Sequence, residues 1–157
     1  MVFMQTQKLT PAQALEKIKH YCAYQERCHS EVKSKLFDYG LTKNETDDAL
    51  LYLIENNYLN EQRYAEQFAG GHFRSKKWGR IKIRYTLRQK QISDPCILKA
   101  LKVIDEDDYL KTLQQLFEEK KASLKSEKNH FIRKKKIRDH LLQKGYEAGL
   151  IQELLKE

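Results

Sequence analysis

The fold is decided by a ten-residue pattern, Val32-Lys-Ser-Lys-Leu36-Phe-Asp-Tyr-Gly40-Leu41, that returns twice along the chain. It recurs as Ile83-Arg-Tyr-Thr-Leu87-Arg-Gln-Lys-Gln91-Ile92 and as Ile137-Arg-Asp-His-Leu141-Leu-Gln-Lys-Gly145-Tyr146, at offsets of 51 and 54 residues. In each copy an apolar residue and a leucine four positions later share one face of a helix, and a glycine or glutamine then ends the helix. Glycine suits the left-handed residue that follows many helices, so Gly40 and Gly145 predict helix ends.

A helix on either side of each copy completes a three-helix unit. Downstream, apolar pairs recur at the same offsets: Ala49-Leu50, Ala100-Leu101 and Leu154-Leu155. Upstream, apolar residues recur at helical spacing: Ala14, Leu15, Ile18 and Cys22; Tyr64, Ala65, Phe68 and Phe73; Leu110, Leu113, Leu116 and Phe117. The sequence therefore predicts an all-α fold of three tandem three-helix repeats, over residues 1–58, 59–106 and 107–157, that pack into an elongated or curved array. The alternative is that three unrelated amphipathic hairpins match by chance.

Local signals predict where the helices begin and end. Thr10-Pro11 and Asp94-Pro95 each place a capping residue before a proline at the first helical position. Either Thr42 or Asn44 is expected to cap the third helix. The predicted helices span residues 11–25, 29–39, 43–56, 60–75, 78–90, 94–105, 107–122, 128–144 and 147–156.

Composition favours a helical protein that works in water. Hydrophobic residues make up 40% and charged residues 33% of the 157-residue chain, too apolar for disorder and too charged for a protein embedded in lipid. Glycine (6) and proline (2) are scarce, which favours helices over a sheet with many turns. Met1–Lys8 contains no apolar run of signal-peptide length, and no stretch approaches about 20 apolar residues. We therefore expect a cytoplasmic protein with no membrane partner.

Motifs of enzyme active sites are absent from the sequence. The phosphate-binding, dinucleotide-binding, zinc-protease and serine-hydrolase motifs do not occur, and glycine is too rare for most such loops. The acidic runs Asp47-Asp48 and Asp105-Glu106-Asp107-Asp108 stand at predicted helix starts, where they stabilise the helix dipole. We therefore expect a binding protein without a cofactor and not an enzyme.

The three cysteines do not predict a metal site. Cys22 and Cys28 lie near His20 and His29, but the spacing lacks a second pair of ligands. An odd number of thiols in a reducing compartment also argues against a disulfide framework. Cys22 and Cys96 are expected to be small residues of the core or its boundary.

Positive charge is concentrated in the middle of the chain. The formal net charge is +8 at pH 7. Residues 1–59 hold 7 basic and 8 acidic residues, 60–106 hold 11 and 5, and 107–157 hold 12 and 9. Within the middle third, residues 74–90 contain eight basic residues and no acidic residue. Clustered cations repel one another unless an anion binds them, so this run is the strongest functional signal in the sequence.

This run predicts a stripe of cations along one helix. If the apolar residues of the repeated pattern face the core, Lys77, Arg84 and Arg88 share one flank at 100° per residue. Arg80 lies beside them, and Trp78 is expected either to anchor packing or to stack on a base. The residues expected to bind DNA or a protein partner here are Arg74, Lys76, Lys77, Trp78, Arg80, Lys82, Arg84 and Arg88. The alternative is a solvated helix face with acidic neighbours from another repeat.

A second basic cluster begins the matching helix of the third repeat. The offsets make Arg84 equivalent to Arg138 and to Lys33. Arg80 is likewise equivalent to Lys134. A cation at the same place in stacked repeats would form a basic track suited to a polyanion or an acidic groove. The residues expected to bind there are Arg133, Lys134, Lys135 and Arg138.

Two stretches in the middle of the chain carry a recognisable signature. The first is Tyr58-Leu-Asn-Glu-Gln-Arg-Tyr-Ala65, in which an acidic residue precedes an arginine, an aromatic residue and an alanine. The second is the basic stretch Lys77-Trp-Gly-Arg-Ile-Lys-Ile-Arg-Tyr-Thr-Leu87, continuing through Gln91-Ile92. Together they resemble the central signature of the RecX family. Asn57 and Gln91 stand where the family usually has glycine.

The resemblance extends to the first repeat and covers nearly the whole chain. Arg27, Ser30-Glu31-Val32 and Leu36 with Gly40 resemble the family's first-repeat pattern of arginine, serine, glutamate and leucine. The family likeness also agrees with three helical repeats in a chain of this length.

The resemblance implies a negative regulator of the RecA recombinase. Such a protein binds in the helical groove of the RecA–DNA filament and inhibits strand exchange and ATP hydrolysis. The resemblance also makes five residues candidates for facing that groove, toward DNA phosphate or acidic RecA residues: Lys77, Arg80, Lys82, Arg84 and Arg88. We expect a monomer that binds single- and double-stranded DNA weakly and without sequence preference. The alternative is a stand-alone, helix-turn-helix-like DNA-binding protein in which one helix reads the major groove.

Overall fold

The computed structural model describes residues 8–156, and over this range the chain is entirely helical. Its helices are α1 (Pro11–Tyr24), α2 (His29–Asp38), α3 (Lys43–Glu55), α4 (Glu61–Lys76), α5 (Arg80–Gln89), α6 (Asp94–Leu101), α7 (Glu106–Ser123), α8 (His130–Lys144) and α9 (Ala148–Leu155). Helices pack mainly within the groups α1–α3, α4–α6 and α7–α9. The predicted all-α fold of three tandem three-helix repeats is confirmed. Residues 1–7, which include most of the stretch considered as a signal peptide, and Glu157 lie outside the described residues.

The three copies of the repeated pattern form α2, α5 and α8, and their matched apolar side chains are buried. The buried residues of these helices are Val32, Leu36, Ile83, Leu87, Ile137 and Leu141. The apolar residues that follow the helix ends are buried as well: Leu41, Ile92 and Tyr146. The spacing that identifies the repeat is therefore the spacing of residues that contact the core.

Left-handed residues end the second helix of every repeat. Gly40 and Gly145 have φ values of +90° and +99°, as the helix-end prediction requires. Gln91, at the equivalent position of the second repeat, has a φ of +64°. Asn57, which follows the end of α3, is also left-handed, with a φ of +62°. A side chain in this conformation costs roughly 1–2 kcal/mol, and asparagine tolerates it better than most residues. The turn is thus retained even where glycine is not.

The cap residues of α3 and α6 differ in how well they were predicted. Thr42, and not Asn44, caps α3, and its hydroxyl accepts a hydrogen bond from the third amide of the helix. The prediction for Asp94 is wrong by one residue: Ser93 occupies the cap position, and Asp94 is the first residue of α6. Proline fits anywhere in the first turn because the amides there have no partner within the helix. Pro95 therefore does not define the first residue.

Two further predictions around the start of the third repeat are wrong. The helix predicted over 94–105 ends at Leu101, because a tight turn follows it and leaves Asp105 free to cap α7. The Asp105 carboxylate accepts a hydrogen bond from the amide three residues later. Leu110, predicted to face the core, is 41% exposed, and Tyr109 is buried in its place. Leu113, Leu116 and Phe117 are buried as predicted, so only the first residue of the inner face of α7 differs.

The apolar core is divided into two parts, which do not correspond to the three repeats. The first repeat has its own cluster, centred on Ile18, Leu36 and Leu53. The second and third repeats share one continuous cluster. Cys28 is the one residue of the first repeat that belongs to this shared core among the buried residues of 8–156. The second and third repeats therefore form one packed body, with the first attached to it.

Two structural observations concern membranes and metals. No helix between residues 8 and 156 is long and apolar enough to cross a membrane. In the same range, histidine, cysteine and carboxylate side chains form no group of three or more that could hold a metal ion.

Candidate interaction surface on the second and third repeats

The turn between α4 and α5 separates the predicted cations into two groups. Lys77 adopts the left-handed conformation, with a φ of +57°, at the end of α4. α5 then begins at Arg80, two residues later than predicted. Lys77 therefore does not lie on the stripe of α5, and that part of the prediction is wrong. The helix starts late because Gly79 is held against the third repeat, where its amide donates to the carbonyl of Lys144 (2.8 Å).

Three arginines recur every four residues along α5 and form the arginine row: Arg80, Arg84 and Arg88. The ends of the row are neutralised by the chain itself. Arg80 pairs with Glu106 (2.9 Å) and with Glu147 (2.6 Å) of the third repeat. Arg88 pairs with Asp94 (3.2 Å) on the exposed surface. The alternative interpretation, a helix face with acidic neighbours from another repeat, thus applies to Arg80.

Arg80 is held between a ring and two carboxylates. Its guanidinium lies 3.9 Å from the centroid of the Tyr109 ring, and the Tyr109 hydroxyl donates to Glu147. Burial alone would lower the pKa of Arg80, but Glu147, Tyr109 and Glu106 outweigh it and raise the pKa. Burial, together with the bond to Glu147, also raises the pKa of Tyr109. This arrangement fixes the position of the third repeat, and the carboxylates of Glu106 and Glu147 neutralise the charge of Arg80.

Arg84, in the middle of the row, has no carboxylate partner among residues 8–156. It lines an open groove of about 630 Å³ between α5, α6 and the start of α7. Exposed Ile81 and Leu98 line the same groove. The Arg84 Nε is buried and has no acceptor among residues 8–156. Asp105, Glu106 and Glu147 also line the groove, but none of them pairs with Arg84, whose guanidinium charge stays available to an anionic ligand.

Trp78 is the centre of the second group of cations, the Trp78 cluster. The ammonium groups of Lys76 and Lys82 lie 5.3 Å and 4.6 Å from the centroid of the Trp78 ring. The ring also packs near Phe68 and His72, with centroid distances of 6.3 Å and 4.7 Å. Trp78 is half-buried against the shared core, which agrees with its interpretation as a packing anchor. Its cationic neighbours remain exposed or half-exposed.

Basic residues of α8 form the second predicted cluster. Arg133 donates to the backbone carbonyl of Glu127, and its Nε is buried without an acceptor in the described part of the chain. Lys135 forms a surface pair with Asp139 (3.4 Å). Lys134, Arg133 and Arg138 are half-buried. Arg138 occupies in α8 the place that Arg84 occupies in α5.

The predicted cations fall into paired and unpaired sets. Arg80, Arg88 and Lys135 are paired with carboxylates. Within residues 8–156, the predicted cations that pair with no carboxylate are Arg74, Lys76, Lys77, Lys82, Arg84, Arg133, Lys134 and Arg138. This unpaired set gives the second and third repeats a positive surface that favours an anionic partner.

Glu147 is the structurally important residue that the sequence interpretation missed. The repeat offsets make it equivalent to Thr42 and Ser93, which occupy the cap positions of α3 and α6. Glu147 occupies the cap position of α9 but makes no capping bond with its side chain. Its carboxylate binds Arg80 and Tyr109 instead. The sequence signal was that a glutamate, which caps a helix poorly, stands where the other two repeats have threonine and serine.

Comparison with protein families identifies two matching regions. Residues 60–101 match the second three-helix domain of RecX, and residues 106–155 match the third three-helix domain of RecX. Together they cover more than half of the chain.

Curated relatives give the same result over a longer range. The chain is 34% identical over 131 residues to the regulatory protein RecX of Clostridium perfringens (strain 13 / Type A), covering 83% of this chain and 61% of that protein. It is 29% identical over 144 residues to the regulatory protein RecX of Prosthecochloris aestuarii, covering 92% of each. The chain spans about three fifths of the length of the Clostridium perfringens relative.

Two solved structures share the fold. A crystal structure of RecX from Lactobacillus salivarius has a TM-score of 0.82 at 23% identity, covering 93% of this chain and 94% of that chain. A crystal structure of a regulatory protein RecX has a TM-score of 0.84 at 21% identity, covering 94% of this chain and 72% of that chain.

Proposed function

The chain belongs to the RecX family, and from that premise we propose that it is a negative regulator of the RecA recombinase. In this proposal it binds in the groove of the RecA–DNA filament and inhibits strand exchange and ATP hydrolysis. It acts by binding alone, as a monomer in the cytoplasm, and catalyses no reaction.

The observation that supports this proposal is the unpaired set of cations on the second and third repeats. A filament on DNA presents phosphates, and electrostatic attraction to phosphates requires cations that the protein does not neutralise itself. The Trp78 cluster, Arg84 and Arg138 meet that requirement, since none of their cations pairs with a carboxylate among residues 8–156. Residues 1–59 hold 7 basic and 8 acidic residues, so the first repeat has no excess of positive charge and binding is led by the other two repeats.

A protein bound in this way would occupy the route of an incoming duplex. Its cations bind either DNA phosphate or acidic groups of RecA, and its rigid second and third repeats span neighbouring protomers. Binding to bare DNA is then weak, independent of sequence and steeply dependent on salt. Inhibition of strand exchange and inhibition of ATP hydrolysis both follow from binding at this one position.

The test is RecA ATP hydrolysis on single-stranded DNA. We expect the wild-type chain to inhibit hydrolysis at stoichiometric concentration, and Arg84→Glu with Arg88→Glu to raise the half-inhibitory concentration at least about tenfold. The matched control, Lys33→Glu with Lys43→Glu, makes the same charge change at exposed positions of the first repeat and should retain most of the inhibition.

Two outcomes would contradict the proposal. Unchanged ATP hydrolysis with the wild-type chain at stoichiometric concentration would reject it. Tight, sequence-selective binding to duplex DNA without RecA would favour the helix-turn-helix alternative. Circular dichroism of both variants is the folding control: we expect intact helices, and loss of helicity in the Arg84→Glu, Arg88→Glu variant would show that half-buried Arg84 is needed for the fold.

A further inference from the structure

A small apolar pocket opens between the helices of the third repeat, away from the arginine row. Its volume is about 250 Å³, and its floor is formed by Phe117 of α7, Ile137 of α8 and Leu154 and Leu155 of α9. Small-molecule sites usually measure about 300–1,000 Å³, so this pocket is sized for a single large side chain. We call it the third-repeat pocket.

The rim of the third-repeat pocket is cationic. Lys121, Arg133 and Lys134 line it together with His130, and no carboxylate of residues 8–156 does. An adjoining groove shares Lys121 and Arg133 with the pocket and adds Lys125. That groove contains one acidic residue, Glu118. An anionic occupant therefore gains from the rim on two sides of the floor.

Arg133 provides a second observation at the same place. Its Nη2 donates to the carbonyl of Glu127, whereas its Nε is buried with no acceptor among residues 8–156. Lys134 and Lys121 form no ion pair in that range. The rim thus retains charge that the chain has not neutralised.

The combination of floor and rim identifies the kind of partner. A nucleic acid backbone would use the rim and gain nothing from four apolar side chains. A neutral apolar segment would use the floor and gain nothing from the cations. We propose that the third-repeat pocket binds an acidic peptide segment of a protein partner, with one large apolar side chain on the floor and carboxylates on the rim. The rim shares Arg133 and Lys134 with the unpaired set, but peptide binding is measured without RecA, so its failure is distinguishable from failure of the proposed action on RecA.

The test measures fluorescence polarisation with three labelled probes. The first is a peptide of one phenylalanine flanked on each side by three aspartates. The second has serine in place of the phenylalanine, and the third is an oligothymidylate of matching charge. We expect the phenylalanine peptide to bind at least about tenfold more tightly than either of the others, because it alone uses both floor and rim.

Charge reversal at the rim is compared with the same change elsewhere on the same helices. Lys121→Glu with Lys134→Glu should weaken binding of the phenylalanine peptide at least about tenfold. The control, Lys111→Glu with Lys135→Glu, also places one reversal on α7 and one on α8 but outside the pocket. It should change binding less than about threefold.

Several results would overturn the site. These are equal binding of the phenylalanine and serine peptides, tighter binding of the oligonucleotide, equal weakening by the two double variants, or no binding of the phenylalanine peptide up to about 1 mM. Amide chemical shifts of the wild-type chain provide a second measurement that does not depend on how the variants fold. Shifts at His130 and Leu154 support the site, and shifts confined to other repeats reject it.

Discussion

The junction between the first and second repeats differs in kind from the junction between the second and third. The first junction is polar: Lys90 pairs with Glu31 (3.3 Å), and Arg63 pairs with Glu26. The Ser30 hydroxyl donates to the carbonyl of Lys90 (3.1 Å). Cys28 is the residue of the first repeat that packs into the core shared by the second and third repeats.

The second junction joins backbone to backbone over a shared core. The amides of Gly79 and Ile81 donate to the carbonyls of Lys144 and Gly145 (2.8 and 2.9 Å). The Tyr146 hydroxyl donates to the carbonyl of Lys77 (2.9 Å). Apolar residues of both repeats continue without interruption beneath these bonds.

This difference shows that similar repeats need not be coupled equally. The helices of the three repeats match, but burial of apolar surface links the second repeat to the third, and mainly ion pairs link it to the first. Salt screens ion pairs that still contact water, as these do, whereas it has little effect on a shared apolar core. We expect the second and third repeats to unfold together and the first to open from them separately.

Gly145→Ala is expected to have the largest effect, since it breaks the tighter junction. A Cβ at this position would lie 2.7 Å from the amide nitrogen of Lys82 and would add strain at a φ of +99°. We expect it to lower the free energy of unfolding by about 2–5 kcal/mol. Urea denaturation measures this change.

A matched control distinguishes this contact from a general effect of replacing glycine. Gly71 lies within α4, and no atom of residues 8–156 that could obstruct a Cβ there is within 4 Å. Gly71→Ala should raise the free energy of unfolding by roughly 0.5–1 kcal/mol because alanine favours a helix. Equal destabilisation by both variants would contradict the junction contact.

Tyr109→Phe is expected to have an intermediate effect at the same junction. The hydroxyl donates to Glu147 and accepts a hydrogen bond from the Arg80 amide (3.1 Å), so its loss leaves both partners short of one bond. We expect a loss of about 1–3 kcal/mol in the free energy of unfolding. Tyr85→Phe is the control, since Tyr85 is 62% exposed, and it should change stability by less than about 0.5 kcal/mol. Equal losses would show that Tyr109 does not couple the repeats.

The polar junction should show the smallest effect, a response to salt. Cys28 is fully buried against the second repeat, so its reaction with a thiol reagent reports opening of this junction. Between about 0.05 M and 1 M NaCl we expect its labelling rate to rise two- to tenfold, because salt weakens pairs worth up to about 1 kcal/mol each. Cys96→Ser removes the half-exposed thiol from the background.

Cys22 provides an internal control for that measurement. It lies in the separate core of the first repeat, and burial raises the pKa of its thiol to about 11, so it stays protonated and slow near pH 8. The labelling rate of Cys22 should not change with the salt concentration. If Cys22 and Cys28 accelerate together, salt destabilises the first repeat as a whole.

The fold was largely predictable because its signals are local. Helical spacing predicted the buried faces of α2, α5 and α8, and capping chemistry predicted the starts of α1 and α3. The late start of α5 was not predictable in this way, because Gly79 contacts a repeat that lies far along the chain.

The candidate surface was less predictable than the fold. The sequence located the basic run, but which of its cations are unpaired depends on carboxylates from another repeat. Arg80 is the clearest case, since Glu147 follows it by 67 residues. Only the docking of the second and third repeats brings them together. The third-repeat pocket likewise requires three helices to assemble before its rim and floor can be recognised.

The main-chain contact between Gly79 and Gly145 also sets the spacing between two groups of cations. Because two backbones meet without intervening side chains, the distance between the cations of α5 and those of α8 is a fixed length of the molecule. A partner whose anionic groups repeat at that distance binds both helices, and the entropy cost of ordering the partner is incurred only once. A partner with any other pitch engages only one. Selectivity among anionic partners can therefore arise from spacing, without recognition of any particular base or side chain.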